Sequence, residues 1–255
     1  MIAVIIIGCI INISQVTQYP YQCYLRNLSM DFMKLNYPCT VIDSWICADL
    51  ISMESFLFFL IFPLLAALPY GTSYFIDKQS GMVKGLYMRV SRRDYLISKY
   101  IATFLSGGIA VTIPLVVNLL CCMSLLPNLV PQSICPGNAI RPSTFLSGVF
   151  YSSPTWYLVI YLVIDFVLAG IYSCVALSCS FITDYRIVVT LCPFFLQLVI
   201  NTLCGMFLDT SWSSVYFARS GYGIQHVSVL FIYGVGGLII TAFIFLIKGE
   251  TEDVF

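Results

Sequence analysis

The chain has 255 residues, of which 60% are hydrophobic and only 9% are charged, and its mean hydropathy is +0.94. This composition excludes a soluble globular domain with a charged surface and indicates a protein of the lipid bilayer. The formal net charge of +0 and the single histidine, His226, argue against nucleic-acid binding and against a histidine-based metal centre.

Six apolar stretches approach or exceed the roughly 20 residues that a membrane-spanning helix needs. The sequence therefore predicts an all-α, polytopic transmembrane helix bundle, with one permease-like domain over residues 1–255 and no nucleotide-binding domain. The first stretch lacks the basic region and cleavage site of a secretory signal, so it is predicted to remain as a helix. In chain order the predicted spans are Met1–Ile13, Glu54–Phe75, Leu96–Leu126, Thr155–Phe181, Ile187–Leu208 and Val227–Ile247.

Positive charge is concentrated on one side of these spans. Six of the twelve Lys and Arg residues lie within residues 77–99, from the end of the second span to the start of the third, opposed only by Asp77 and Asp94. The positive-inside rule makes this segment cytoplasmic, and six spans then make both termini cytoplasmic. The basic residues predicted inside are Lys78, Lys84, Arg89, Arg92, Arg93, Lys99, Arg186 and Lys248, and those outside are Arg26, Lys34, Arg141 and Arg219.

Four of the eleven cysteines fall in segments that this topology places outside the membrane. Oxidising conditions there permit up to two disulfide bridges, with three pairings open, and free thiols are an equal alternative. No CxxC pair is present, so a zinc site is not predicted. These four are Cys23, Cys39, Cys47 and Cys135.

Several enzyme classes are excluded by missing motifs. The chain has no GxxxxGK[ST] phosphate-binding loop, no HExxH zinc motif and no GxSxG nucleophile turn. We therefore predict a protein that is not itself an enzyme, with no metal and no cofactor of its own.

The cytoplasmic segment between the second and third spans combines a turn, an apolar patch and several cations. Gly81 permits a sharp turn. The side chains of Met82, Leu86, Tyr87 and Met88 recur at roughly helical spacing and would fill a groove on a partner. The alternative is that the basic residues only enforce topology or meet anionic lipid headgroups.

An ordered set of short motifs runs through residues 63–99. The elements are PLLAALP (Pro63–Pro69), Asp77, Ser80-Gly81, Gly85-Leu86-Tyr87, Ser91-Arg92-Arg93, Tyr95-Leu96 and Lys99. This order resembles the membrane subunits of ABC transporters of the type-2 exporter class. A second, weaker likeness to that family is SCSFITDYRIVVTLCPFF, after the fourth span.

The resemblance implies a short coupling helix between spans 2 and 3 that lies in a groove of a separate ATPase subunit. It further implies a second permease copy or homologue, two ATPase subunits that bind ATP and Mg, and a place in the bacterial plasma membrane as a multi-pass protein. The expected function is export of an amphipathic or hydrophobic substrate, such as a peptide, antibiotic or lipid-like compound. The implied coupling residues are Asp77, Lys78, Gln79, Ser80, Gly81, Lys84, Gly85, Leu86, Tyr87, Arg89, Arg92 and Arg93.

A few polar residues occur inside the apolar stretches and are candidates for a translocation path. A carboxylate near the bilayer centre costs about 2.5–3.5 kcal/mol, so Asp165 is expected to face protein or water and to have a partner. Asn118 and Asn201 are further candidates, although amides at this depth also bridge helices. Two other functions stay open: an ion- or proton-coupled secondary transporter that uses Asp165, and a non-transporting membrane scaffold or immunity protein.

Overall fold

The computed structural model describes residues 1–29, 40–129, 140, 142, 144–222 and 226–251, without the side chains of residues 27–29. Every regular element within these ranges is a helix, which confirms the predicted all-α class. The helices are α1 (Ile2–Gln18), α2 (Pro20–Ser29), α3 (Val41–Ser44), α4 (Met53–Ala67), α5 (Ser73–Gln79), α6 (Met82–Tyr87), α7 (Arg92–Leu125), α8 (Ser147–Ser152), α9 (Pro154–Cys179), α10 (Arg186–Phe207), α11 (Ser214–Ala218), α12 (Val227–Leu230) and α13 (Gly237–Thr251), with a 3-10 turn at Thr210–Trp212 and a π-helical turn at Phe231–Gly236.

Five helical stretches in the described residues are long and apolar enough to cross a membrane. They overlap five of the six predicted spans and make the chain a multi-pass membrane protein. The first is longer than predicted, because α1 continues past Ile13 and is followed directly by α2. The five stretches are Ile2–Arg26, Arg92–Leu125, Pro154–Cys179, Arg186–Phe207 and Val227–Thr251.

The second predicted span differs from the structure. Instead of one helix over Glu54–Phe75, α4 ends at Ala67 after 15 residues, and α5 begins only at Ser73. At 1.5 Å per residue α4 is about 22 Å long, which is less than the roughly 30 Å of a bilayer core. Pro69 explains the break, because it lacks the backbone N–H that would continue the helix.

Serine side chains mark the starts of two main helices. The Ser52 hydroxyl accepts a hydrogen bond from the Ser55 N–H at the start of α4. The Ser91 hydroxyl accepts one from the Asp94 N–H at the start of α7. Each cap satisfies a donor that the first helical turn would leave unpaired.

Helices α1 and α7 run in the same direction. The Asn118 side chain of α7 donates to the Asn12 carbonyl of α1 at 2.8 Å. One turn earlier in both helices, an added Cβ on Gly8 would lie 2.6 Å from the Pro114 ring. Because α1 and α7 are parallel, the chain between them must return to the end of the bundle where α7 begins, and α4 with α5 makes this return.

Helix α9 packs antiparallel to α7 along a seam of glycines. The Cys174 thiol donates to the Tyr100 carbonyl, and Gly108 lies against the Phe166 ring. An added Cβ on Gly107 would lie 2.4 Å from the Ser173 Cβ. Small residues thus allow close approach of the two backbones, as in other membrane helix pairs.

Helix α13 packs antiparallel to the first half of α7. The Tyr100 hydroxyl lies 2.8 Å from the Thr241 hydroxyl, and Gly249, two turns further along α13, contacts Leu96. The C-terminal part of α13 therefore lies beside the start of α7.

At the opposite end, the connection between α1 and α4 folds back into the bundle. The side chains of Trp45, Ile46 and Cys47 are each 0% exposed, although the backbone after α3 is not helical. Non-helical backbone at membrane depth is tolerated only where protein or a water-filled cavity surrounds it. We call residues Trp45–Ser52 the re-entrant segment.

Candidate functional site

The end of the bundle where α7 begins collects the basic residues that were predicted to be cytoplasmic. Arg93 at the start of α7 forms an ion pair of 2.5 Å with Glu250 near the end of α13. The Phe181 ring, just after α9, lies 4.8 Å from the Tyr74 ring of α5. The segments that carry the predicted cytoplasmic cations therefore share this end of the bundle, which we call the basic end. Those cations are Lys78, Lys84, Arg89, Arg92, Arg93, Lys99, Arg186 and Lys248.

A short exposed helix, α6, lies at the basic end. Gly81 precedes it in the left-handed conformation with φ of 72°, which a side chain would strain. In α6 only Val83 is buried, whereas Met82 is 59% exposed and Met88, directly after the helix, is 81% exposed. The sequence predicted a helical element with an apolar patch here, and the structure contains such an element.

The chain before α6 is tied to α7 by a largely buried ion pair. The Lys99 ammonium lies 2.5 Å from the Asp77 carboxylate, and the Tyr95 hydroxyl donates to the same carboxylate at 2.7 Å. Lys99 also donates to the Tyr70 hydroxyl at 3.3 Å. Its side chain is only 10% exposed, so the pair sits in a low-dielectric environment where it holds α5 firmly on α7.

Aromatic contacts hold the other end of α6 on α7. The Arg92 guanidinium lies 5.1 Å from the centre of the Tyr87 ring, and Tyr87 packs edge-on against Tyr95 at 5.8 Å. A displacement of α6 would therefore be transmitted to the first turn of α7 as well as to α5.

The twelve residues implied as coupling residues all lie in this described region, and they form a mixed basic and apolar surface. The exposed ones are Gln79, Ser80, Gly81, Lys84, Gly85, Arg89 and Arg93, and the half-buried ones are Asp77, Lys78, Leu86, Tyr87 and Arg92. We call the exposed part around Met82, Lys84, Met88 and Arg89 the α6 surface.

At the opposite end, Asn118 connects three parts of the chain. Its side-chain amide donates to the Asn12 carbonyl and to the Gln15 side chain at 3.0 Å, both on α1. Its side-chain carbonyl accepts from the Ile46 N–H at 3.1 Å. Asn118 thus bridges two helices and the re-entrant segment, which favours the helix-bridging interpretation over contact with cargo.

Asp49 is the second centre of this polar network. Its carboxylate accepts from the Gln15 side chain at 2.6 Å and from the Ile51 and Ser52 N–H groups. Its backbone carbonyl accepts from Arg219 at 3.0 Å. Because Arg219 is only 6% exposed, burial lowers the pKa of its guanidinium, while the Asp49 charge opposes that change.

Asp165 of α9 meets the tip of the re-entrant segment. The Cys47 thiol donates to the Asp165 carboxyl at 3.5 Å, and both residues are 0% exposed. The second oxygen of Asp165 has no hydrogen-bond partner among the described residues. Asn118 and Asp165 therefore contact adjacent residues of the re-entrant segment, Ile46 and Cys47. Asn201 lies half-buried on α10 and takes no part in these contacts.

The predicted outer cysteines take different positions. Cys47 is predicted to face the outside, but it is a free thiol in the core. Cys23 lies half-buried in α2, near the end of the chain's first helical stretch. Cys39 and Cys135 lie outside the described residues, so bridges that involve them stay predictions.

Three network residues were missed by sequence reasoning. Gln15 lies just beyond the predicted end of the first span. Asp49 and Arg219 lie in segments that the predicted topology places outside the membrane. The available signal for Gln15 was its helical spacing from Gly8 and Asn12, which puts it on the buried face of α1. Asp49 and Arg219 had no local signal, because their partners are 34 and 170 residues away in the sequence.

Replacing Asn118 by leucine should destabilise the network end of the bundle. The change leaves the Ile46 N–H buried without its acceptor, which costs about 1–3 kcal/mol, and it removes the second hydrogen bond that the Asn12 carbonyl accepts. We expect a lower unfolding midpoint of the purified chain in detergent. Thr112→Val on the same helix is the matched control, because it removes only a hydroxyl bonded within α7. Equal midpoints for Asn118→Leu and Thr112→Val would contradict the bridging role.

In the described part of the chain, no group of three or more His, Cys, Asp or Glu side chains is arranged to hold a metal ion. The candidate site consists of the α6 surface at one end of the bundle and the polar network of the re-entrant segment at the other.

Comparison of the chain with protein-family models, with curated protein sequences and with solved structures finds no match.

Proposed function

We propose that this chain is the permease subunit of an ATP-driven exporter of the type-2 ABC class. The observation that carries the proposal is α6, an exposed helix whose last residue, Tyr87, contacts the first turn of α7, while the preceding helix α5 is ion-paired to α7. The ordered motifs through residues 63–99 support it, since they resemble those of such permeases.

The ties around α6 give the proposed coupling a physical route. A partner that pushes on α6 acts on α7 through Lys99 and through the Tyr87–Arg92 contact. Helix α7 in turn packs along α9 through the glycine seam. A partner with different affinities for two arrangements of these helices would shift the population between them, as alternating access requires.

In the proposed topology the chain crosses the membrane six times, and α4 and α5 together form the second crossing in chain order. The parallel directions of α1 and α7 support this, because an odd number of crossings must separate them. The basic end then faces the cytoplasm by the positive-inside rule, and both termini lie on that side.

The partners of the proposed complex are two ATPase subunits, which carry ATP and Mg, and a second copy of this chain or a homologue. The proposed place is the bacterial plasma membrane. The cargo class is an amphipathic or hydrophobic molecule, which the small number of polar groups in the spans supports.

Charge placed on the α6 surface should separate the chain from its ATPase. We expect the wild-type chain, purified from its native membranes, to carry a subunit that is photolabelled by azido-ATP. Met88→Glu introduces a carboxylate at an 81% exposed position, so it should leave folding unchanged and reduce the labelled subunit at least about tenfold. The measurement is photolabel per mole of permease.

Ile182→Glu is the matched control, since Ile182 is 69% exposed in the turn between α9 and α10 at the same basic end. It should retain the labelled subunit. Absence of any azido-ATP-labelled subunit from the wild-type complex would contradict the proposal, and so would equal retention in Met88→Glu and wild type.

A proton-coupled secondary transporter is the second candidate, and one observation favours it: Asp165 in the middle of α9 is fully buried, and one of its oxygens has no partner in the part of the chain that the structure describes. Proton-driven transport by the chain alone in liposomes, lost in Asp165→Asn, would support that candidate. Transport in neither assay would favour a scaffold or immunity protein.

A further inference from the structure

We propose that the re-entrant segment is a movable barrier that closes the proposed transport path at the end opposite α6. This inference rests on the proposed transport function and adds the location and the latch of its outer barrier. The reasons are the depth of the segment, the way it is held, and what it covers.

The segment reaches far into the bundle. The Trp45 indole N–H donates to the Leu115 carbonyl, ten residues before the last residue of α7, and Cys47 meets Asp165, eleven residues after the first residue of α9. At 1.5 Å per residue both positions are about 15 Å from the helix ends, roughly half of a bilayer core. A segment at this depth separates the middle of the bundle from its outer end.

The segment is held in two ways: the side chains of Trp45, Ile46 and Cys47 are buried in the apolar core, and polar side chains of the surrounding elements bond its backbone and Asp49. The Ser55 hydroxyl donates to the Ile46 and Asp49 carbonyls at 2.9 and 2.8 Å. The Gln15 side chain donates to the Ser44 carbonyl as well as to the Asp49 carboxylate. Arg219 contacts both Asp49 and Ser55. We call these contacts of Gln15, Ser55 and Arg219 the latch.

The latch contacts allow the re-entrant segment to be released from the bundle in one step. Each contact joins the segment to a different element, so a small separation of α1, α4 and the α11 region would break several bonds together. Water can replace the hydrogen bonds of the latch in an open state, so the free-energy cost of opening comes mainly from exposing the buried Trp45, Ile46 and Cys47 side chains.

The connection that follows α11 packs against the re-entrant segment. An added Cβ on Gly221, just after Arg219, would lie 2.5 Å from the Ala48 carbonyl oxygen. Movement of the segment between α1 and α4 therefore requires movement of the chain after α11. The two connections open or close the outer end as one unit.

Withdrawal of the segment would expose polar groups that it now covers. These are the unpaired oxygen of Asp165 and the side chain of Asn118, both 0% exposed. The native Cys47 thiol would become accessible in the same step, which makes it a reporter of opening.

The test measures thiol accessibility in the full-length chain in lipid nanodiscs, where reagent reaches both ends. A charged maleimide is added together with a short cysteine peptide, and peptide mass mapping gives the labelling rates of Cys47 and Cys174. The added peptide reports reagent activity, and Cys174, which is buried toward the basic end, reports global unfolding. No ATPase subunit is needed, so the outcome is independent of the azido-ATP experiment.

Latch variants should expose Cys47 selectively. We expect Gln15→Leu and Ser55→Ala each to raise the Cys47 rate about tenfold or more over wild type, relative to the added peptide, with Cys174 still protected. Thr103→Val removes a buried hydroxyl that bonds within α7, and should leave the Cys47 rate unchanged.

Two results would overturn the proposal. In the first, Cys47 stays as protected in both latch variants as in wild type, so that the segment is part of the static core. In the second, Cys47 and Cys174 become reactive together, which means that the segment moves only when the bundle unfolds. If Gln15→Leu does not fold, Ser55→Ala alone decides between these outcomes, since it removes one hydroxyl and keeps α4 intact.

Discussion

Replacing Lys99 by methionine is expected to destabilise the basic end by about 3 kcal/mol, the lower limit for breaking a buried ion pair. The Asp77 carboxylate would keep the Tyr95 hydroxyl but lose its only ion-pair partner among the described residues, while its side chain is only 18% exposed. Partial exposure of Asp77 places the effect at the lower limit of the range. The expected observation is a lower midpoint of unfolding by denaturing detergent.

A double-mutant cycle tests whether the loss comes from the pair. The cycle compares Lys99→Met, Asp77→Asn and the variant with both changes. Each single change leaves one partner without compensation, so the double variant should be more stable than the sum of the two losses predicts. Additive losses would mean that the two residues stabilise the fold independently, and the proposed tie between α5 and α7 would then be wrong.

A side chain at Gly107 is expected to have an even larger effect. The Cβ of Gly107→Ala would lie 2.4 Å from the Ser173 Cβ of α9 and 3.0 Å from the Ala66 carbonyl oxygen of α4. Helices α7, α9 and α4 would have to separate, which removes packing along the seam as well as creating strain. We expect a loss of about 3 kcal/mol or more, seen as a lower unfolding midpoint and a lower yield of folded protein.

A paired change distinguishes a local clash from a general intolerance of the site. In a Ser173→Gly background the nearest obstacle is absent, so Gly107→Ala should cost clearly less there than in wild type. Gly85→Ala is the control for glycine replacement in a helix, because an added Cβ there meets nothing within 4 Å. It should stabilise α6 slightly, by about 0.5–1 kcal/mol. A cost at Gly107 that is the same in both backgrounds would contradict the close-approach explanation.

The two ends of the bundle differ in how far they could be predicted. The α6 region was predictable, because its signals are local: Gly81 for the turn, apolar residues at helical spacing, and Ser91 as a cap within three residues of its partner. The re-entrant segment was not predictable. The 40 residues around it have the composition of an outer connection between two spans, and its burial depends on partners in α1, α4, α7 and α9 and just after α11.

The amino-acid sequence by itself determined the helical class, the membrane environment and the approximate positions of the five long apolar helices. Apolar length and composition are sufficient for this, because a bilayer admits only helices or closed barrels across it. Pro69 also carried a signal for the break after α4, although a hydropathy profile continues across it.

Tertiary structure alone decided which polar groups satisfy one another. Cys47 and Asp165 are 118 residues apart, and Gln15 and Asn118 are 103 residues apart, so no spacing in the sequence relates them. A buried polar group must find a partner wherever the packed helices offer one, and that place is set by helix directions and close approach at glycines. The physical reason for the division is that helix formation depends on neighbours in the chain, whereas pairing at depth depends on neighbours in space.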